Sequence, residues 1–366
     1  MFPARMENSA APGAVVMDPD DLRIVRALQL APRASFARIG SALGLPERSV
    51  ARRYRTLRRG GLIRIFATVN PATAGEHKWM VRVRCRPDSA TALATALARR
   101  DDVIWMSLTS AGSEITFAMR SLSASSRETL LTRRLPRTAH VLDIDAAVLL
   151  HPFLGDDPKD WGGLAGCLTA DETAELAATG ARPAGDEDTS GPVPLEPPDQ
   201  TLVAALAADG RASYADLAAA TGMSEGRVTR RLATLLRTRT VFIDMDMCLG
   251  AFGYPLAAQL YLRVTPARLH QTGEALAAWP EVSFVAAMSG PHNLLATVVC
   301  RDLAELYTFI SGRIGALDGV RSCEVAPVLR VVKQAGGLTD DDGRLLDPLP
   351  TVEGPAHPPD TRAAVG

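Results

Sequence analysis

The stretch Asp21–Ile65, DLRIVRALQLAPRASFARIGSALGLPERSVARRYRTLRRGGLIRI, is written a second time as Asp199–Ile243, DQTLVAALAADGRASYADLAAATGMSEGRVTRRLATLLRTRTVFI. The two copies align without a gap at an offset of 178 residues, and more than a third of the positions are identical. Asp21 meets Asp199, Arg33-Ala34-Ser35 meets Arg211-Ala212-Ser213, Gly44 meets Gly222, and Val50, Arg52, Arg53 and Leu57 meet Val228, Arg230, Arg231 and Leu235. A repeat this long is no solenoid period; it marks duplication of a whole functional unit.

Within the first copy, Leu22, Val25, Ala27 and Leu28 give a helix from about Asp20 to Leu30 an apolar side, and Pro32 ends it. Ser35 is an N-cap for a second helix, Gly44 supplies a tight turn, and Pro46-Glu47 open a third helix that ends near Gly60-Gly61. Three short helices with a glycine turn before the third form a helix-turn-helix pattern. On the third helix Val50, Tyr54 and Leu57 make one apolar stripe. Arg48, Arg52, Arg55 and Arg59 fall about half a turn away on the helical wheel. Such a ridge opposite a buried face suits DNA phosphates and guanine edges. With the flanking Ser49 and Arg53, these residues are the expected DNA contacts. The second copy keeps the stripe as Val228, Leu232 and Leu235 but reads Gly226, Arg230, Ala233, Arg237 along the ridge. Arg227, Arg230, Arg231 and Arg237 are its expected contacts, and a weaker or differently specific grip is expected. Ser224 is expected to cap this helix, and Arg239, in place of Gly61, to blur its end.

The charge agrees. The chain carries a net charge of −1, yet Asp20–Ile65 holds eleven Arg against three acidic residues, while Asp199–Ile243 holds six Arg against four. A basic patch in a neutral protein points to a polyanion such as double-stranded DNA. Cys85, Cys167, Cys248, Cys300 and Cys323 are scattered and form no CxxC pair, as expected of reduced thiols. Neither a signal peptide nor a membrane-length apolar run is evident, so a cytoplasmic location is expected. The six His show no metal spacing, and there is no glycine-rich phosphate loop or GxSxG elbow. No cofactor, metal or catalytic residue is expected.

After each helical block come strand and helix patterns in the order βαββαβ, a ferredoxin-like unit, at an offset of 179. Pro87 meets Pro266, Val103 meets Val282, Ser110 meets Ser289 and Val141 meets Val320. The expected fold class is α+β, in two tandem units, each a helix-turn-helix domain followed by a ferredoxin-like domain. The expected divisions are a disordered 1–17, a first helix-turn-helix domain 18–65 and a first ferredoxin-like domain 66–151. A connector and linker 152–198 leads to a second helix-turn-helix domain 199–248 and ferredoxin-like domain 249–334. A disordered tail, 335–366, follows.

This combination resembles the leucine-responsive/asparagine-operon regulator (Lrp/AsnC) family of bacterial and archaeal transcription factors. Val50-Ala51-Arg52-Arg53-Tyr54, Leu57 and Gly61-Leu62-Ile63 fit its recognition-helix signature. Leu317-Asp318-Gly319-Val320 and Leu329-Arg330-Val331-Val332-Lys333 fit its closing elements. Ser289-Gly290-Pro291-His292-Asn293 occupies its Thr-Gly-x-x-Asp turn, where the first copy has Ser110-Ala111-Gly112-Ser113-Glu114. The resemblance implies sheet units that dimerise and bind small effectors, typically amino acids, near that turn. Ser110, Gly112, Glu114, Ser289, Gly290, His292 and Asn293 are the effector residues it implies. Glu114 would receive an ammonium group, and Gly290 and His292 a carboxylate. The implied assembly is an internal pseudo-dimer that also forms homo-oligomers.

An enzymatic alternative shares the architecture: fused, regulator-like sirohaem decarboxylases. These need His and Arg around a tetrapyrrole pocket. Here Arg64–Lys78 offers only His77 and Lys78 beyond Arg64, and Phe242–Tyr254 offers no His or basic residue. A metabolite sensor that ignores DNA would lack the arginine ridge.

Overall fold

The computed structural model describes residues 17–70, 73, 77–120, 128–138, 140–155, 161–180 and 191–346. The disorder expected for 1–17 falls, except for Met17, outside them, as do residues 181–190 of the expected linker and the tail beyond 346.

Helices α1 (Pro19–Leu30), α2 (Phe36–Leu43) and α3 (Glu47–Arg59) form the first helix-turn-helix unit. Asp18 caps α1 and Ser35 caps α2, each accepting a backbone N–H, and Gly44 closes α2 at φ 67°. Strand β1 (Ile63–Val69) follows. The βαββαβ unit is β2 (Lys78–Cys85), α4 (Pro87–Ala98), β3 (Val103–Thr109), β4 (Glu114–Arg120), a single π-helical turn (Thr129–Arg134) and β5 (Val141–Leu154). A short 3-10 turn (Gly162–Cys167) and α5 (Ala170–Gly180) lead to the second copy. There α6 (Pro197–Ala208), α7 (Tyr214–Thr221) and α8 (Glu225–Arg237) repeat the helices, and β6 (Val241–Met247) repeats β1. β7 (Leu256–Val264), α9 (Leu269–Ala277), β8 (Val282–Met288), β9 (Leu294–Cys300), α10 (Leu303–Thr308) and β10 (Val320–Gln334) repeat the sheet unit.

The halves are joined twice about one pseudo-twofold axis. First, β1 and β6 pair antiparallel, and Phe66 lies opposite Asp244, its own counterpart 178 residues on. The sequence pattern ends the first helical block inside β1, takes all of β6 into the second, and gives no sign of the ribbon. Their apolar residues sit in one core shared by both helix-turn-helix units, with Ile24, Leu28, Ile63, Leu202, Leu206 and Val241 all buried.

Second, the long strands β5 and β10 each begin in their own sheet and finish in the other. β5 pairs with β2 over Val141–Val148 and with β8 over Leu149–Leu154. β10 pairs with β7 and then, over Val328–Lys333, with β3. Leu149 opposite Met288 and Val328 opposite Thr109 are the same pairing seen from the two halves. The strands thus close into one ring, β3-β4-β2-β5-β8-β9-β7-β10. Leu154 ends in the core under the second unit's helices and Val332 in the core under α4. Between the sheets lies a fourth core of Met80, Ala118, Ala147, Tyr261, Met288, Leu295 and Ala326. The extra length of β5 beyond the expected Leu150 is what makes this crossing.

One further expectation changes. The start of the tail is ordered: β11 (Gly337–Leu338) pairs with the end of β10, and Leu345 is buried, its N–H donating to Gly61 O at 2.8 Å. Leu338, packed against the core under α4, the buried Leu345, the Thr339 hydroxyl donating to Val331 O at 2.6 Å and the glycine turns at 336 and 343 fold a segment that reads as polar. The connector holds the short helix α5, the Thr169 hydroxyl accepting from Glu172 N–H at 3.2 Å, and Trp161 and Leu176 pack into the helical core beside α1.

Candidate nucleic-acid interface and effector turn

On α3, Val50, Tyr54 and Leu57 are buried and Arg48, Arg52, Arg55 and Arg59 are exposed. The ridge is therefore the solvent face of the helix. Ser49 is half-buried beside it. Arg55 and Arg59 donate through Nε to the carbonyls of Ala51 and Arg55 at 3.0 and 3.3 Å, which lays their stems along the helix. Arg58, overlooked in the sequence, pairs with Asp209 of the second unit at 2.7 Å.

Arg53 is not on the ridge. It donates to Asp21 at 2.9 Å and Asp18 at 3.2 Å, tying α3 to the start of α1. Its counterpart Arg231 does the same with Asp199 at 2.5 Å. Burial opposes ionisation of Asp199, but Arg231 and the N–H of Glu196 hold its carboxyl below the usual range. The structure thus corrects the assignment of Arg53 and Arg231 to DNA. Each sits one residue before the buried Tyr54 or Leu232, close enough to the stripe to serve the fold.

On α8, Arg227 and Arg230 are exposed and Arg237 is half-buried. Two expectations about this helix fail. Ser224 stands at the N-cap but makes no side-chain cap bond, and the helix end is as sharp as in the first copy. Arg239 adopts φ 54° where Gly61 has 66°, and Thr240 N–H bonds back to Leu235 O as Leu62 N–H does to Leu57 O.

Besides the ribbon and the shared core, the two reading heads are tied by a pair of arginines that stand out in the sequence only as identities between the copies. Arg33 donates to the carbonyls of Gly210 and Ala212 at 2.6 and 3.0 Å. Arg211 donates to those of Pro32 and Ala34 at 2.5 and 2.7 Å. Arg211 also lies over the rings of Phe36 and Tyr54, and Arg33 over Tyr214. Identity at an Arg with no stripe or ridge to serve is the available signal.

The effector turns are unlike. In the second unit, Ser289 latches onto β5: its N–H donates to Val148 O, and its hydroxyl accepts from Val148 N–H, both at 2.9 Å. Gly290 turns at φ 99°. In the first unit the counterpart of Val148 is Pro327, which has no N–H to give. There Ser110, Ala111 and Gly112 all adopt left-handed conformations, at φ 52°, 56° and 82°. Two of these are strained for residues with a Cβ.

The charged and amide residues expected at the turns are already engaged. Glu114 is buried and accepts from Arg82 at 3.0 Å and from the Thr109 hydroxyl at 3.1 Å. Asn293 both donates to and accepts from the Val264 backbone at 2.8 Å. His292 lies 3.7 Å from Glu324. The structure therefore assigns Glu114 to the chain's own cation rather than to a ligand ammonium.

The family described as the AsnC-type helix-turn-helix domain matches residues 17–58 and 198–236, and the Lrp/AsnC ligand binding domain matches 258–338. An uncharacterized HTH-type transcriptional regulator of Pyrococcus abyssi is 32% identical over 146 residues, which cover 39% of this chain and 91% of the relative. One of Pyrococcus horikoshii is 30% identical with the same coverage. The chain belongs to the Lrp/AsnC family. It is a tandem-duplicated, DNA-binding transcriptional regulator. The siroheme decarboxylase NirDL, in co-complex with an iron-uroporphyrin III analogue, superposes with a TM-score of 0.56 over 87% of this chain and 93% of its own. At 13% identity, that likeness shows the fold alone. Among the described residues, no helix is long and apolar enough to cross a membrane, and no cluster of His, Cys, Asp or Glu is placed to hold a metal. In this Lrp/AsnC chain the ligand-domain match falls on the second unit, the one whose turn is latched.

Proposed function

We propose that the chain is a cytoplasmic one-component regulator that binds double-stranded DNA sequence-specifically, mainly through α3 and less strongly through α8. The observation that carries this is the exposed row Arg48, Arg52, Arg55 and Arg59 opposite the buried stripe of α3, on a unit fixed to its twin by Arg33 and Arg211. Ser49, Arg227, Arg230 and Arg237 complete the proposed DNA surface. A small effector of the amino-acid type acts on the sheet units near the turns, with Ser289, Gly290 and His292 on one side and Ser110 and Gly112 on the other. Because Ser289 grips β5, an effector there reaches the crossing that joins the halves. The working divisions are the two helical units, 18–65 and 199–248, and the two sheet units, 66–151 and 249–334. The halves pair within one chain, and such chains assemble further as homo-oligomers.

Titration of the protein on duplex DNA from upstream of its own gene, over a range of salt concentrations, tests this reading. Specific binding that weakens steeply with salt is expected. Absence of DNA binding together with tight tetrapyrrole binding would favour the decarboxylase reading instead. A thermal-shift screen of the common amino acids tests the effector class; no shift with any of them would remove it.

A further inference from the structure

Between the two sheets lies a charged cluster that DNA binding does not use. Arg82 on β2 is largely buried. Its guanidinium carbon stands 3.9 Å from the ring centre of Tyr261 on β7. It bonds Glu114 on its own sheet at 3.0 Å and Glu324 on the opposite sheet at 2.5 Å. Tyr261 is fully buried, and its hydroxyl donates to Gln259 at 2.9 Å. Glu324 is also within 3.7 Å of His292. Under the 179-residue offset, Tyr261 is the counterpart of Arg82, Glu324 of Asp145, and Asn293 of Glu114. The pseudo-twofold axis thus brings one position of the repeat against itself, and the two copies carry different residues there.

We propose that Arg82, Tyr261 and Glu324 make the two sheet faces selective for each other, so that a first unit pairs with a second unit and rejects a copy of itself. Pairing two first units would set two guanidiniums face to face where Arg82 now meets a tyrosine ring. Asp145, one methylene shorter, would stand where Glu324 now reaches Arg82. Like charges brought together out of water oppose association strongly. Pairing two second units would stack Tyr261 on Tyr261 and leave both copies of Glu324 with no arginine. Only the unlike pair gives one buried cation an aromatic face and two carboxylates. Repulsion in the wrong pairs, as well as attraction in the right one, is how closely related surfaces gain specificity. The partner this face fits is therefore a second-type unit, supplied by the same chain. A single-unit relative with a like face would be rejected.

The linker alone could also keep the halves together, so the test removes it. A protease site is placed within residues 181–190 of the otherwise intact protein, and the chain is cut after purification. Cut protein is mixed with an isotopically heavy batch and warmed, short of unfolding, until heavy and light halves have exchanged. Native mass spectrometry then counts the pairs. The expected result is that nearly all complexes contain one first half and one second half, with like–like complexes on the order of one in a hundred. Like–like complexes making up about half of the total, the share random pairing gives, would overturn the proposal. Tyr261→Arg should raise the like–like share towards that random value. Glu324→Gln changes a part-exposed residue without altering its size and should raise the like–like share about tenfold, as expected when one charge-assisted hydrogen bond is removed. If neither substitution moved the share, the cluster would not be the source of selectivity.

Discussion

Where α3 carries Arg48 and Arg55, α8 carries Gly226 and Ala233, yet the two helices begin and end at equivalent residues and bury equivalent stripes. Residues that hold the units to each other or to themselves are kept in both copies, Arg33 and Arg211 across the axis and Asp21–Arg53 and Asp199–Arg231 within each unit, whereas of the four ridge arginines only Arg52 and Arg59 persist, as Arg230 and Arg237. The sheets tell the same story with the roles reversed. Backbone pairings across the crossing are equivalent in both halves, while Arg82 faces Tyr261 and Val148 answers to Pro327. The comparison teaches that the frame of the duplicate is symmetric and its surfaces are not.

Several substitutions can break or sharpen that comparison. Although Arg33 and Arg211 make matching bonds, Arg211 is also sandwiched against Phe36 and Tyr54, and burial lowers its pKa from the ordinary value. Arg211→Ala should cost about 3 kcal/mol and Arg33→Ala about half of that, on the scale of bonds from a charged donor. Urea unfolding measures both; equal losses would show the axis to be more symmetric than described.

The ribbon carries a charge pair on one side only. Arg64 donates to buried Asp246 at 2.5 Å, where the counterparts are Phe242 and Thr68. Burial pushes the Asp246 carboxyl up to about 7, with Arg64 pulling the other way. A carboxyl whose pKa is higher folded than unfolded binds its proton more tightly in the fold. Its stabilising effect is present at low pH and is lost as pH rises from the ordinary 3.8 through about 7. The urea midpoint of the wild type should therefore fall over that window, and Asp246→Asn should flatten the fall. An unchanged slope would remove Asp246 from the account.

Gly61 and Arg239 share a left-handed turn in different surroundings. A Cβ at Gly61 would stand 2.5 Å from Leu345 O, so Gly61→Ala should cost about 2 kcal/mol through clash and strain. Arg239→Gly relieves strain and should leave stability unchanged or raise it by less than about 1 kcal/mol. Effects of the same sign, measured by thermal melting, would contradict the contrast. The smallest effect is at the turns. Ser289→Ala removes the acceptor for Val148 N–H and should cost about 1 kcal/mol, whereas Ser110→Ala, facing Pro327, should cost almost nothing.

Periodicity made much of this legible in sequence. The stripe Val50, Tyr54, Leu57 faces inward as its spacing predicts, and the alternating runs around Met80 and Leu260 become strands. Pairing partners were harder to see, because β1 and β6 are short apolar runs at the ends of helical blocks and gain a strand identity only from each other. Arg53 shows a different limit. Charge alone could not tell a residue reaching for phosphate from one answering Asp21 across a helix junction. Glu114 and Asn293 mislead in the same way: a turn position suggests a ligand, and a neighbouring arginine or backbone satisfies the side chain first. Tail residues 337–346 were hidden because only Leu338 and Leu345, set apart among polar residues, anchor them.

The central claim, that one frame carries two unequal reading heads, meets its most direct test in the salt dependence of DNA binding. Wild type, Arg48/Arg52/Arg55→Ala and Arg227/Arg230→Ala would be titrated on the same upstream duplex at several salt concentrations. Removing one arginine from a phosphate lowers the slope of log affinity against log salt by about 1. The first variant should show the larger drop in slope and in affinity, with binding weakened at least about 100-fold against roughly tenfold for the second. Equal drops in the two variants, or a larger drop in the second, would contradict the account.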